Sequence, residues 1–138
     1  MSIYLDTNIF LNVIYKEQRF RSESAELLLK VRGEQVAAIT SAVTLLEVIL
    51  DMADSGFPDQ VEAAVAAIED LRGLGVVPLG KAMVKTAAEH VLEDRITIHD
   101  SYRLATALHS GASFFVTRDA GLAKKIAKYL KVGRPEEV

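Results

Sequence analysis

Four carboxylates carry the chemistry that this sequence offers. They are Asp6 in Ile3-Tyr4-Leu5-Asp6-Thr7-Asn8, Glu47 in Val43-Thr44-Leu45-Leu46-Glu47-Val48-Ile49-Leu50, Asp100 in His99-Asp100-Ser101-Tyr102, and Asp119 in Val116-Thr117-Arg118-Asp119. Each is tied to an apolar element, and together they span the chain, which suggests a single acidic pocket. Carboxylates packed close together repel one another and raise their own pKa values, a penalty that a dication removes. Such a pocket therefore suits Mg²⁺ or Mn²⁺, hard ions that take oxygen ligands.

A simpler account exists for three of them, because aspartate is among the best helix N-caps, contributing about 1 kcal/mol. Spacing argues for more. Asp6 stands four residues before Phe10, which leads Val13 and Ile14. Asp100 stands four before Leu104, which leads Ala107 and Leu108, and Asp119 precedes Leu122, Ala123 and Ile126. Residues three and four apart share a helix face, so each aspartate is expected on a core-facing stripe. Glu47 lies in a helix apolar nearly all round, the pattern of a buried helix. It shares a face with Val43 and Leu50, where an ionised carboxylate needs a partner or a metal. The alternatives are a salt bridge to a buried Arg or Lys, or a helix end that reaches solvent. Asp51, one turn on, reads as a solvated residue, with a supporting role at the rim left open.

Positioning these acids falls to a chain of 138 residues, expected to form one domain over 1–138. Half the residues are apolar and a quarter charged, an ordinary globular composition. There is no cysteine, which excludes thiol nucleophiles and zinc–thiolate sites and fits a reducing, cytoplasmic setting. A charge at Asp6 argues against a signal peptide, and no apolar run approaches the roughly 18 residues of a membrane helix. The net charge of −3 counts against nonspecific nucleic-acid binding.

Short apolar runs at Ile3-Tyr4-Leu5, Val36–Ile39 and Phe114–Thr117 predict strands covered on both faces. Val76-Val77-Pro78-Leu79 predicts an edge strand, and Val132 a short fifth. Val84, Ala87, Ala88, Val91 and Leu92 follow the helical template, as do Val61, Ala64, Val65 and Ile68. Ala25–Lys30 and Thr44–Ala53 also read as helices, and Gly73 and Gly75 are expected to close the helix through Leu71. Alternating strands and helices imply a three-layer α/β fold around a mainly parallel sheet. Ligands bind such sheets at the carboxyl ends of the strands, where Asp6 and Asp119 fall.

These residues resemble a known family. The stretches Tyr4-Leu5-Asp6-Thr7-Asn8-Ile9-Phe10, Thr40–Val48, Asp100-Ser101-Tyr102-Arg103-Leu104-Ala105-Thr106-Ala107 and Phe115-Val116-Thr117-Arg118-Asp119, in that order, are similar to those of PIN-domain ribonucleases. The likeness is greatest to the VapC-like toxins of VapBC-type toxin–antitoxin pairs. It covers nearly the whole chain and implies a three-layer α/β/α PIN-like fold with strand order 3-2-1-4-5 and endonuclease activity on RNA. It implies that Asp6, Glu47, Asp100 and Asp119 hold one or two Mg²⁺ or Mn²⁺ ions, assisted by hydrogen bonds from Asn8 and Thr117. A homodimer and a small antitoxin, inserting an Arg or Lys into the acidic groove, are the implied partners. Exposed apolar positions around Phe20 or Ile14 would serve such contacts. Arg118, between Thr117 and Asp119, and His99, before Asp100, are not family requirements.

The expected mechanism is metal-assisted phosphodiester hydrolysis, with Asp6 and Asp100 as direct ligands. Glu47 would be a ligand or would orient the attacking water, and Asp119 would act directly or through water. Lys124, Lys128 and Lys131 recur at i, i+4, i+7 on what reads as the last helix. With Lys125, Arg118 and Arg134 they form a stripe that could contact RNA phosphates, or else a solvated face with cations favourably placed near a helix end. His90, His99 and His109 lack metal-ligand spacing and read as surface or interface residues. A haloacid-dehalogenase-like phosphatase would need a second Asp at the position of Asn8. A receiver domain would need an acidic pair after the first strand and a late Lys, where the sequence has Asp6-Thr7 and Thr117-Arg118. A housekeeping RNA-processing nuclease and a non-catalytic interaction module stay open as alternatives.

Overall fold

The computed structural model describes residues 2–138. Five strands, β1 (Ser2–Leu5), β2 (Ala37–Ser41), β3 (Leu74–Val77), β4 (Phe114–Val116) and β5 (Lys131–Gly133), form one sheet in the order β3-β2-β1-β4-β5. All four pairings are parallel, and β1 sits between β2 (Ile3 opposite Ala38) and β4 (Tyr4 opposite Phe115). The helices are α1 (Thr7–Ile14), α2 (Arg21–Arg32), α3 (Ala42–Asp54), α4 (Val61–Glu69), α5 (Lys81–Asp94), α6 (Ile98–His109) and α7 (Ala120–Ile126). Short 3₁₀ turns at Pro58–Gln60 and Pro135–Glu137 complete the chain.

Side chains alternate across a strand, which explains the two-sided core. Ile3, Leu5 and Val116 point into a cluster with Ile9, Phe10, Leu27, Val31, Val48 and Met52. Tyr4 and Phe115 point the other way, into a cluster with Ile96, Leu104, Ala107, Leu122 and Ile126. The Tyr4 and Phe115 rings stack at 4.6 Å. This is the three-layer arrangement that the sequence pattern implied and the strand order that the family resemblance implied, and β3 is the edge strand, with Pro78 just beyond it. None of the described helices is long and apolar enough to cross a membrane.

Local expectations needed correcting at three places, and the outward-facing stripe of α5 is a further finding. Helix α4 ends at Glu69, and Gly73 (φ +84°) makes the turn into β3, so Gly75 lies within the strand rather than closing a helix. Helix α7 ends at Ile126, which leaves Lys128 beyond it and Lys131 in β5; the three lysines share no helix face. Helix α3 is not buried all round, since Leu46, Ile49 and Leu50 reach solvent. On α5 the apolar stripe faces outward: Leu92 is 82% exposed and, with Val84, Val91, Ile98 and Tyr102, lines an open apolar groove between α5 and α6.

Candidate active site

Adjacent strands β1 and β4 run parallel, so Asp6, directly after β1, and Thr117–Asp119, directly after β4, emerge at the same carboxyl end of the sheet. The chain leaves β2 at Ser41, which caps α3 through Val43 N and so brings Glu47 to the same end. Helix α6 then places Asp100 in its first turn. Asp6, Glu47, Asp100 and Asp119 line one open cavity of about 380 Å³, together with Thr7, Asn8, Leu11, Asp51, Thr97, His99 and Arg103.

The simpler account of the aspartates is partly true as well. Asp6 caps α1, accepting from Thr7 N at 2.8 Å, and Asp119 caps α7, accepting from Leu122 N at 3.0 Å. Asp100 is not a cap, since Thr97 holds that place and accepts from Asp100 N at 3.2 Å. Only Asp6 is fully buried; Asp100 and Glu47 are half-buried, and Asp119 is exposed at the rim. The expectation that Asp119 itself faces the core is therefore corrected: Leu122 and Ile126 of α7 are buried as the spacing implied, but Asp119 is the N-cap, outside the helix, and lies at the exposed rim.

Hydroxyl and amide groups orient the acids from below. Thr117 Oγ1 donates to Asp6 Oδ2 at 2.7 Å and accepts from Asp119 N at 3.0 Å. Asn8 Nδ2 donates to Asp6 Oδ2 (3.3 Å) and Thr117 Oγ1 (3.2 Å), while its Oδ1 accepts from Arg118 N (3.2 Å). Thr7 Oγ1 donates to Glu47 Oε1 at 3.0 Å and lies 3.1 Å from Thr44 Oγ1, which is 2.9 Å from Thr40 Oγ1. Thr40 in turn donates to the Leu5 carbonyl at 2.8 Å, so this buried chain of hydroxyls runs from β1 to the carboxylate of Glu47.

Arg103 had no role in the sequence reading. Its guanidinium lies among the acids, pairing through Nη2 with Glu47 Oε2 and through Nη1 with Asp100 Oδ1. Its Nε sits 3.0 Å from Asp6 Oδ1 but is not aligned to donate to it. Glu47 thus has the buried arginine partner that the sequence left open as an alternative. The available signal was the spacing from Asp100, since i and i+3 share a helix face.

One guanidinium against the five carboxylates that line the cavity, Asp51 at its rim included, leaves a formal excess of four acids. The effect is visible at Asp100, whose carboxyl is pushed above its usual range first by burial and then by the charges of Asp6 and Asp119. Among the described residues no three acidic or histidine side chains converge on a single point, because Arg103 stands between them. The donor chemistry and the charge excess fit a hard dication; the present side-chain positions close on a guanidinium instead.

The basic residues divide differently from expectation. Arg118 turns away from the cavity and is nearly buried, so its assignment as an RNA contact is corrected. Its guanidinium donates to Asn12 Oδ1 (2.9 Å), pairs with Glu136 (3.2 Å) and covers the Phe20 ring at 4.4 Å. Phe20 is accordingly occupied within the fold, whereas Ile14 lines a shallow apolar groove with Phe10, Val13, Leu28, Ala64 and Leu71. Lys124 is exposed, and Lys128 pairs with Asp94. Lys125 is the lysine whose charge reaches Asp100. His90 is not a surface residue: it is buried, bonded to Asp94 at 2.8 Å and edge-on to Tyr129. Asp51 stands at the rim, hydrogen-bonded by Tyr15.

Comparison with known proteins agrees with this geometry. The model of the PIN domain family matches residues 3–128. A DNA-bound VapBC structure from Salmonella typhimurium superposes with a TM-score of 0.75 at 18% identity, covering 98% of each chain. FitAcB from Neisseria gonorrhoeae superposes at 0.72 and 20% identity, covering 99% of each chain. Mycobacterium tuberculosis VapC20, described as a sarcin-ricin loop cleaving toxin, superposes at 0.73 and 16% identity over 88% of this chain and 93% of its own. No curated protein sequence matches the chain.

Proposed function

The chain belongs to the PIN domain family, and from that premise we propose that it is a Mg²⁺- or Mn²⁺-dependent endoribonuclease, the toxin of a type II toxin–antitoxin pair acting in the cytoplasm. The observation that carries this reading is the gathering of four carboxylates from four separate segments around one open cavity, with a single guanidinium to offset them. A structural ion pair would need one acid per base. An excess of acids over bases at the carboxyl end of a parallel sheet is suited to a dication and a polyanionic substrate. Asp6, Asp100 and Asp119 are the residues that would hold the metal, and Glu47 would join them or orient the attacking water. When bound, the ion supplies Lewis-acid polarisation of the scissile phosphate and acidification of the attacking water.

The chain's own groups prepare that chemistry. Thr117 and Asn8 fix the Asp6 carboxylate, so that little reorganisation is needed when a cation binds there. Thr7 holds Glu47 at the cavity wall, where its carboxylate can orient a water. Lys124 and Lys125, exposed on α7 beside Asp119, are placed to receive backbone phosphates.

A toxin role, rather than a housekeeping one, is favoured by the structural neighbours, which include VapBC and FitAcB proteins that share this chain's full length. The proposed partners are a small antitoxin and a second copy of the chain, and the two apolar grooves at α5–α6 and α1–α4 offer surface for them.

Incubating the purified protein with structured RNA and Mg²⁺ or Mn²⁺ tests the proposal. Cleavage should stop with EDTA and return with metal. Asp6→Asn should lower the rate by at least about 100-fold, the upper end of what a mere supporting partner of a metal ligand causes. Wild-type cleavage by Asp6→Asn, or undiminished cleavage in EDTA, would overturn it.

A further inference from the structure

We propose that Arg103 fills one cation position of this site, so that the pocket takes one divalent ion where its acids alone would take two. Glu47 is then the fixed partner of Arg103 rather than a ligand of that ion. The inference rests on the metal-dependent reading above and narrows it.

The placement of Arg103 is governed by charge. Its side chain is only 9% exposed and reaches acids on three separate elements: Asp6 after β1, Glu47 on α3 and Asp100 on its own helix. Yet Nε, 3.0 Å from Asp6 Oδ1, is misaligned and has no acceptor at all. A buried donor left unsatisfied costs free energy, so hydrogen-bond geometry alone does not account for the position. Electrostatic attraction to three surrounding carboxylates does. An arginine cannot lose its charge at any accessible pH, so this positive centre is permanent.

The carboxylate oxygens show what remains for an added ion. Both oxygens of Glu47 are engaged, Oε2 by Arg103 and Oε1 by Thr7 at 3.0 Å, with Thr44 behind. Asp100 uses Oδ1 on Arg103, and Asp119 uses Oδ1 on Leu122 N; neither has a protein partner on Oδ2 among the described residues. Asp6 accepts on both oxygens but only from neutral donors, apart from the unaligned Nε. The ion therefore belongs on the side of the pocket formed by Asp100, Asp119 and Asp6, whose side chains do not converge on one point as they stand and would close on the ion when it binds. The Glu47 side is already neutralised.

Calorimetric titration with Mn²⁺, together with thermal melts in EDTA and in Mn²⁺, tests this. Arg103→Met should bind one more Mn²⁺ per chain than the wild type, melt lower in EDTA, and recover in Mn²⁺. In the wild-type background, Glu47→Gln should change Mn²⁺ affinity by less than about threefold, whereas Asp100→Asn should weaken it by about tenfold or more. Equal stoichiometry in the wild type and Arg103→Met would overturn the proposal. So would an unfolded Arg103→Met that Mn²⁺ fails to refold, or equal weakening by Glu47→Gln and Asp100→Asn. No Mn²⁺ in the wild type would overturn the one-ion pocket and the metal-dependent function together, whereas equal non-zero stoichiometry would overturn the role of Arg103 alone.

Discussion

Thr117 Oγ1 donates to Asp6 Oδ2 at 2.7 Å, joining the carboxyl ends of two adjacent parallel strands across 111 residues of chain. The same oxygen accepts from Asp119 N, so one hydroxyl registers two of the four acids against each other. Thr117→Val keeps the shape and removes both bonds, together with the one that Asn8 Nδ2 donates to the same oxygen. Stability should fall by about 1–2 kcal/mol, as for a buried hydrogen bond lost on one side. RNA cleavage should fall with it, and Thr117→Ser should restore both. Urea denaturation and a cleavage assay would check this; full activity in the valine variant would remove the hydroxyl from the mechanism.

Asp94, at the end of α5, receives Lys128, His90 and Tyr129, with its side chain nearly buried. The hydrogen bond from Lys128 first, then those from His90 and Tyr129, hold its carboxyl well below the usual carboxylate range. A depressed folded-state pKa contributes stability that is full above the unfolded value near about 4 and is lost as pH falls through the folded one. Asp94→Asn should therefore melt below the wild type at pH 7, with the gap closing as the pH is lowered toward 2. A gap independent of pH would contradict the assignment.

Gly73 and Gly56 both have positive φ, +84° and +87°, but only Gly73 is enclosed. A Cβ there would stand 2.2 Å from the Val31 carbonyl oxygen, whereas nothing lies within 4 Å at Gly56. Gly56→Ala should cost about 1 kcal/mol, the strain of a left-handed residue. Gly73→Ala should cost more, about 2 kcal/mol or above, because the backbone at the end of α2 must also move. Equal denaturation midpoints for the two variants would show that β3 has room to shift.

If RNA phosphates lie along α7, Lys124→Gln and Lys125→Gln should each reduce the slope of log affinity against log salt by about 0.7, the value for a contact to a single strand. Lys128→Gln should leave the slope unchanged, because its ammonium is committed to Asp94. Binding measured across a salt series with a catalytically inactive variant separates these outcomes. A slope that moves with Lys128 alone would restore the stripe expected from sequence spacing.

The errors of the sequence reading share a cause. Helical spacing placed Asp100 and Leu104 on one face correctly, because that relation is contained in α6 itself. It placed Leu122 and Ile126 of α7 toward the core correctly but carried Asp119 with them wrongly, because Asp119 is the extended N-cap, where helical spacing no longer fixes the side chain's direction. It assigned Arg118 to RNA, whereas α2 and the Pro135–Glu137 turn enclose its guanidinium from positions remote in sequence.

By itself the sequence determined the element order, the two-sided sheet and the identities of the four acids. Those follow from local periodicity, turn residues and short motifs. Only the tertiary structure decided that Arg103 would stand among the acids. Its spacing from Asp100 is local, but the positions of Glu47 and Asp6 beside it depend on α6 packing across the end of a sheet assembled from distant segments. Charges separated by 56 and 97 residues in sequence become neighbours only once that sheet has formed.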